Sequence, residues 1–223
     1  MSRRTRLIEL VRIERVFDGT SPVKALQGVT TDVDEGEFVA ITGRSGSGKS
    51  TLLNVLGLLD SVTEGSYRFA GVDVAGIPEP QRAKYRSTDV GFVFQDTNMI
   101  GHLSVLENTL LPARYAQAGR QTDESRRRAC QLLDMVGLSD RIHADPRTLS
   151  GGERQRAAIA QQLLCSDHLL LMDEPFSGLD PNALNAVCEM LVEMASMDEL
   201  LTFIVVTHDI DSAVRICDTL WLL

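Results

Sequence analysis

The sequence predicts an α/β fold: a mostly parallel sheet with flanking helices, an N-terminal antiparallel β part and an inserted helical subdomain. Two short apolar runs, LLLM at 169–172 and TFIVV at 202–206, have the composition of strands buried on both faces. Each is followed by a segment with helical character, at 181–197 and 210–216. Strands that alternate with helices in this way are typical of a parallel sheet.

The rest of the chain is assigned by its periodicity. Strands are predicted at residues 7–17, 29–33, 37–42, 66–70 and 90–94, with 217–223 as a candidate last strand. Residues 104–136 carry helical stretches that break around Pro112 and Gly119, and 153–165 are strong helix formers. The mostly helical part, roughly 96–160, interrupts the alternation of strands and helices. We therefore expect a helical subdomain inserted into a single domain that spans residues 1–223.

Composition limits the class of protein. Apolar residues make up 43% of the chain, which supports a buried core. The formal charge is −9, from 22 basic and 31 acidic residues, and this balance disfavours a nucleic-acid partner because phosphate backbones attract basic surfaces. The basic opening MSRRTR is most simply a solvated tail.

Cysteine use and hydropathy predict a cytosolic protein. Its four cysteines form no CxxC pair and have no histidine at metal-ligand spacing, so we expect reduced thiols. The start has no signal-peptide pattern, and no apolar run approaches the roughly 18 residues of a membrane span. A chain that is soluble by itself can still dock onto a membrane partner.

The segment GRSGSGKS at 43–50 fits the phosphate-loop pattern G-x-x-x-x-G-K-[ST]. Its glycines let backbone N–H groups turn toward phosphate oxygens, and the helix that follows directs its positive end to the same place. A flexible surface loop is the alternative, but the preceding FVAIT and following LLNVLGLL supply the expected strand and helix. The predicted nucleotide-binding residues here are Gly43, Arg44, Ser45, Gly46, Ser47, Gly48, Lys49, Ser50 and Thr51. Lys49 would reach the outer phosphates, and Ser50 would offer its hydroxyl to Mg²⁺.

Two acidic residues end the apolar run LLLMDE. Asp173 is placed to hold Mg²⁺ through water, and Glu174 can polarise an attacking water as a general base. The alternative is a solvated acidic turn. The phosphate loop favours the catalytic interpretation.

The stretch LSGGERQR at 149–156 predicts a second anion site. Ser150 and Glu153 fit a capping box, and Gly151 and Gly152 leave the N–H groups of the first helical turn uncovered. Because this site lies more than 100 residues from the phosphate loop, it suggests a ligand shared between two molecules. A glycine-rich helix cap without a ligand remains the alternative.

These motifs resemble, in order and over essentially the whole chain, the ATP-binding subunits of ABC transporters. The resemblance implies that Gln95 in GFVFQ contacts Mg²⁺ and senses the membrane subunit, that His208 in VVTHD contacts the γ-phosphate, and that Phe17 in RVFDG stacks on adenine. It makes LSGGE a signature that acts in trans: Leu149, Ser150, Gly151, Gly152 and Glu153. It makes SGLD a dimer-interface loop: Ser177, Gly178, Leu179 and Asp180.

Each residue alone has a simpler alternative. Gln95 could be a polar residue after a strand, His208 or Asp180 could cap the following helix, and Phe17 could be a core aromatic.

The resemblance further implies a P-loop NTPase core that uses ATP and Mg²⁺. The expected catalytic residues are Lys49, Gln95, Glu174 and His208, and the expected metal site is Ser50, Gln95 and Asp173. Two copies, or one copy and a homologous ATPase, would close head to tail on two ATP·Mg²⁺. A membrane permease would dock near the helical subdomain after Gln95 and hold the protein on the cytoplasmic face of the inner membrane.

Within the family, STLLNVLGLLD, the stretch from GFVFQ to ARYA, and LSGGERQR resemble the lipoprotein-releasing and macrolide-export subgroup. The interval between Lys49 and Asp173 is too short for the coiled-coil insertion of chromosome-maintenance ATPases. Three features depart from the subgroup: DEPFSGLD replaces DEPTGNLD, Gln161 replaces an arginine, and the chain ends at Leu223 without the usual glycine turn and closing strand. The form DEPFSGLD leaves the ATPase of an uptake system as an alternative. A cell-division-type regulator that moves no substrate is a second alternative, because it would carry the same catalytic residues.

Overall fold

The computed structural model describes residues 5–97, 99–116, 122–166, 168–197 and 200–223. Four strands form an antiparallel sheet: β1 (Arg6–Phe17), β2 (Val23–Asp34), β4 (Glu64–Phe69) and β5 (Val72–Asp73). They lie in the order β2-β1-β4-β5. Five strands form a parallel sheet: β3 (Phe38–Thr42), β6 (Val90–Val93), β7 (Leu169–Asp173), β8 (Thr202–Val206) and β9 (Thr219–Leu222). Their order is β6-β7-β8-β3-β9.

In the part of the chain that the structure describes, eight helices connect and cover these strands: α1 (Lys49–Leu56), α2 (Glu79–Thr88), α3 (Val105–Thr109), α4 (Leu111–Ala116), α5 (Asp123–Met135), α6 (Gly151–Leu163), α7 (Pro181–Met197) and α8 (Ile210–Ile216). Two 3₁₀ turns, Ser139–Arg141 and Pro146–Thr148, lie between α5 and α6. Across the described ranges, no helix combines the length and the apolar character needed to span a bilayer.

The parallel sheet separates two hydrophobic clusters. Strands β7 and β8 are buried on both faces, so successive side chains enter opposite clusters. In β7, Leu170 and Met172 join the cluster that contains residues of α3, α5, α6 and α7. Leu169 and Leu171 join the cluster that contains α1 and the antiparallel sheet. The continuous apolar runs of the sequence therefore correspond to strands covered on both sides, as predicted.

Most predicted elements agree with the structure to within about two residues. The second strand is an exception, because it begins at Val23 and not at Val29. Three of its six added residues are exposed, and polar Lys24 and Gln27 obscure the strand pattern. Helix α2 and strand β5 were not predicted, because none of their residues is buried and neither carries an apolar stripe. The predicted helix at 153–165 begins earlier, at Gly151.

The helical stretch between β6 and β7 breaks where proline predicted it. Helix α3 ends at Thr109 and α4 starts at Leu111, so Pro112 lies in a first turn, where its missing N–H disrupts no helical bond. The break expected at Gly119 lies outside the described residues. Between residues 96 and 160 the described ranges form helices and 3₁₀ turns. The boundaries of the helical subdomain stay a prediction.

Candidate functional site

The site lies at one edge of the parallel sheet. Four strands of this sheet, β6, β7, β8 and β3, lie side by side and run parallel. Their carboxyl ends therefore lie at the same edge, and the segments that follow them converge there. They surround a cavity of about 510 Å³. Its lining residues are Val23, Lys24, Ala25, Gly43, Ser45, Gly46, Gly48, Lys49, Ser50, Thr51, Gln95, Asp173, Glu174, Val206 and His208.

The glycine loop after β3 needs glycine for both conformation and space. Gly46 and Gly48 have φ of 80° and 98°, in the left-handed region that side chains disfavour. A Cβ on Gly48 would also lie 2.3 Å from the carbonyl oxygen of Ala25 in β2. Gly48 leads directly into α1, so the uncovered N–H groups of this helix start at the cavity. This geometry fits a bound phosphate.

The Lys49 ammonium is held by the loop that it follows. Its Nζ donates to the carbonyl oxygens of Gly43 at 2.9 Å and Arg44 at 2.8 Å. Lys49 thus crosses the mouth of the loop in which a phosphate would sit. Arg44 and Ser47, two of the predicted nucleotide-binding residues, do not line the cavity. The Ser47 hydroxyl is buried without a hydrogen-bond partner among the described atoms.

Asp173 and Glu174 concentrate negative charge at the carboxyl end of β7. Burial raises the pKa of Asp173, and the charge of Glu174 raises it further, while a hydrogen bond from Ser50 and the charge of Lys49 lower it. The protein's own groups therefore only partly offset the free-energy cost of ionising Asp173. Carboxylate and hydroxyl oxygens are the donors that Mg²⁺ prefers, so Asp173 and Ser50 fit this ion. Gln95, the third predicted ligand, lines the same cavity.

Glu174 is held in an unusual backbone conformation. Its φ is 49°, which costs a non-glycine residue about 1 kcal/mol or more and is found mainly at functional sites. Its N–H donates to the Val206 carbonyl at 2.8 Å. Its Oε2 lies 2.9 Å from Nδ1 of His208 and accepts the His208 backbone N–H at 3.3 Å. These contacts fix the carboxylate beside the cavity.

The structure decides which residues cap the neighbouring helices. Asp209, and not His208, caps α8, since its Oδ1 accepts the Ser212 N–H at 3.1 Å. The His208 side chain is left free of that role and contacts Glu174 instead. Asp180 does cap α7: its Oδ1 accepts the N–H of Asn182 at 3.0 Å and of Ala183 at 3.1 Å.

The signature residues form the predicted capping box at the start of α6. The Ser150 hydroxyl accepts the Glu153 N–H at 3.2 Å, and the Glu153 carboxylate accepts the Ser150 N–H at 2.8 Å. A Cβ on Gly151 would lie 3.6 Å from Leu179 of the SGLD loop. Gly151 and Leu179 therefore lie side by side, and no residue of 149–153 or 177–180 lines the cavity.

Phe17 ends β1 and is not a core aromatic, because 41% of it is exposed. It does not line the cavity, but its partner in the sheet register, Val23, does. Sequence reasoning missed Val23, Lys24 and Ala25 because it began β2 too late. The alternation in VKAL was the signal that could have revealed them.

Comparison with known proteins decides the family. The family profile described as ABC transporter matches residues 26–177. The chain belongs to the ABC transporter family. The pyoverdine export ATP-binding/permease protein PvdT of Pseudomonas entomophila is 45% identical over 211 residues, which cover 94% of the chain and 32% of that protein. The macrolide export ATP-binding/permease protein MacB of Rhodopirellula baltica is 43% identical over 199 residues, which cover 89% of the chain and 29% of that protein. The chain thus spans about a third of the length of these relatives.

A solved ABC transporter cassette has the same fold. The dimeric structure of MJ0796 superposes with a TM-score of 0.86 and 35% identity, covering 97% of the chain and 94% of the cassette. This confirms the predicted P-loop NTPase core, with its parallel sheet, helices and antiparallel β part, for an ABC transporter ATP-binding domain. The match to MacB likewise confirms the predicted resemblance to macrolide-export proteins.

Proposed function

We propose that the chain is the ATP-hydrolysing subunit of an ABC transporter, in which ATP-dependent head-to-tail dimerisation drives a membrane partner. One observation carries this proposal. A single cavity brings together a phosphate loop, two acidic residues and a histidine from the ends of three strands, with Gln95 from a fourth. This is the set that phosphoryl transfer to water requires.

Each residue has a task in this mechanism. The backbone N–H groups of the glycine loop and the Lys49 ammonium would bind the phosphates, with Lys49 exchanging its two carbonyl partners for phosphate oxygens. Ser50, Gln95 and Asp173 would hold Mg²⁺, which when bound neutralises charge on the phosphate oxygens. Glu174 would orient the attacking water and take its proton. His208 would steady Glu174 and contact the γ-phosphate.

The second half of each site would come from a second copy or a homologous ATPase. Ser150, Gly151 and Gly152 leave the start of α6 as an anion site outside the cavity of their own chain. A head-to-tail dimer would place this helix start over the γ-phosphate bound to the partner. Another structure of MJ0796, 36% identical, is described as a post-hydrolysis dimer bound to ADP and Pi, which supports this arrangement.

The proposed task is export, lipoprotein release or mechanotransmission at the cytoplasmic face of the inner membrane. PvdT and MacB are named as export proteins that combine ATP-binding and permease parts, which supports this class. Phe94 and Ile100, 51% and 37% exposed, flank Gln95 and offer an apolar surface for a permease. A cell-division-type regulator and an uptake ATPase remain the alternative functions, the latter because of DEPFSGLD.

Co-purification tests the proposal. A tagged Glu174→Gln variant is held closed with ATP·Mg²⁺, the membranes are extracted gently, and the bound proteins are identified. We expect a membrane protein with few spans and a large extracytoplasmic domain. A many-span permease with a solute-binding protein would favour uptake. Recovery of no membrane protein would contradict the transporter role, while ATP turnover by the wild-type chain would still establish the ATPase.

A further inference from the structure

One face of the Phe17 ring is covered by a cation. The Arg15 guanidinium carbon lies 4.4 Å from the centroid of the ring, within the range of a cation–π interaction. Because 41% of Phe17 is nevertheless exposed, the face that Arg15 does not cover is open. Among the described residues, no other aromatic ring packs on this open face.

Arg15 is itself locked in place by Asp60. Its Nη2 lies 2.8 Å from Asp60 Oδ1, and its Nε donates to Oδ2 at 2.9 Å, so the carboxylate binds the guanidinium through two parallel contacts. Both side chains are 21% exposed, which makes this pair better ordered than a fully solvated one. The Ser61 N–H fixes the same carboxylate from the other side, donating to Oδ1 at 2.8 Å.

Asp60 connects this lock to the helix that starts at the phosphate loop. The Asp60 N–H donates to the carbonyl of Asn54, in the last turn of α1, at 3.1 Å. Thr63 joins the same segment to β1, since its hydroxyl accepts the Val16 N–H at 3.0 Å and its N–H donates to Glu14 at 2.8 Å. These contacts therefore connect the end of β1 that carries Phe17 to the last turn of α1, the helix that starts at the phosphate loop.

We propose that Arg15, locked by Asp60, is a positioning residue that holds the Phe17 ring for stacking on the base of a bound nucleotide. This rests on the proposed nucleotide site and on the predicted role of Phe17, and adds Arg15 and Asp60 to it. A cation bound to one face fixes the ring plane, so less motion is lost when a base stacks on the other. The expected effect falls on affinity for the nucleoside and leaves affinity for the phosphates unchanged.

Two ligands separate these affinities. ADP·Mg²⁺ and pyrophosphate·Mg²⁺ both contain a diphosphate group, which is attached to a nucleoside only in ADP. Neither has a γ-phosphate that the protein could hydrolyse during the titration. Calorimetric titration is expected to show that Arg15→Met weakens ADP binding about three- to fivefold and leaves pyrophosphate binding unchanged. Asp60→Asn is expected to weaken ADP binding in the same direction. In a Phe17→Ala background, Arg15→Met is expected to add no further loss.

The matched control is Arg6→Met. Arg6 also lies on β1 and pairs with Asp32 at 2.7 Å and Asp34 at 3.4 Å, but at the opposite end of the strand. Its loss is expected to leave both affinities unchanged. Arg15→Lys keeps the cation and provides a second variant if Arg15→Met unfolds, as judged by thermal melting. It is expected to show a smaller loss of ADP affinity.

Three results have distinct meanings. Equal losses for ADP and pyrophosphate, or an undiminished loss in the Phe17→Ala background, would overturn the positioning role of Arg15. Unchanged ADP affinity in Phe17→Ala would overturn base stacking and this inference with it, while the phosphate site would stand. Binding of neither ligand by the wild-type chain would contradict the proposed nucleotide site itself.

Discussion

The Glu174 carboxylate lies 2.9 Å from Nδ1 of His208, and the same oxygen also accepts the His208 backbone N–H. Glu174 follows β7 and His208 follows β8, so the contact joins the ends of two neighbouring strands. It also holds a carboxylate whose backbone is in the left-handed region. The pair is thus a rigid group beside the phosphate loop, and its rigidity makes the role of each residue testable.

Glu174→Gln should lower the ATP turnover number at least 100-fold, because the amide cannot accept a proton from water. An amide oxygen can still contact His208, so the fold and ATP affinity should be preserved. Turnover is measured by phosphate release and affinity by titration with ATP·Mg²⁺. Hydrolysis at the wild-type rate would show that Glu174 is not the base.

Asp173→Asn should stabilise the free chain at neutral pH. The pKa of Asp173 is raised in the folded state, so its ionisation favours unfolding, and stability falls as the pH rises from its usual 3.8 through the raised value. The variant should therefore resist urea better than the wild type at pH 7, with the difference shrinking toward pH 4. The variant should also lose Mg²⁺-dependent ATP turnover.

Asp209→Asn is the control, because it is expected to change the stability in the opposite direction. Hydrogen bonds from Ser212 lower the pKa of Asp209, so its ionised form adds stability that is lost as the pH falls through the lowered value. This variant should be less stable than the wild type at pH 7, and the difference should disappear in acid. If both substitutions changed the free energy of unfolding in the same direction at pH 7, the environments described for Asp173 and Asp209 would be contradicted.

Gly152→Ala should lower the free energy of unfolding by about 1–3 kcal/mol, as overpacking does. Its Cβ would lie 2.7 Å from the Ala183 Cβ at the start of α7. Gly151→Ala is the matched control, because its Cβ would lie 3.6 Å from Leu179, an ordinary contact. Urea unfolding should therefore show a clearly larger loss of stability for Gly152→Ala than for Gly151→Ala. Equal destabilisation of both variants would refute this packing.

Both glycine variants should also weaken ATP-dependent dimerisation. Gly151→Ala tests this cleanly, since its fold should be intact while a methyl group partly covers the start of α6. Light scattering of the variant in a Glu174→Gln background, with and without ATP·Mg²⁺, measures the dimer. A dimer as tight as that of Glu174→Gln alone would contradict close approach of the partner's phosphate to this helix start.

Ile100→Glu should uncouple the chain from its membrane partner without changing ATP affinity. Ile100 is 37% exposed and follows Gln95, so a charge there would oppose an apolar docking surface while leaving the cavity untouched. Val72→Glu is the matched control, because Val72 is also exposed, at 48%, but lies on β5. Co-purification with the membrane subunit should fall for the first variant only. A loss of ATP affinity in Ile100→Glu would contradict the view that the docking surface and the nucleotide cavity are separate.

The sequence predicts features that depend on a few neighbouring residues. The strand, glycine loop and helix that run from Phe38 to Leu56 form a local unit, and Asp173 follows a strand whose burial is visible in its composition. Contacts between distant segments are invisible in such patterns. The carbonyl of Ala25 in β2 lies against Gly48 at the start of α1, and the Asp60 carboxylate that binds Arg15 is 45 residues away from it in the chain. The partner that we propose for the signature would lie in another molecule.

The loop carbonyls that bind Lys49 in the free chain give the site a ligand-exchange character. In the proposed mechanism, a phosphate would replace these two acceptors, which lie at 2.9 and 2.8 Å, before it could bind the ammonium. The same two carbonyl oxygens would be available to bind the Lys49 ammonium again when a product leaves. The affinity for a nucleotide would therefore report a difference between two sets of hydrogen bonds to the Lys49 ammonium.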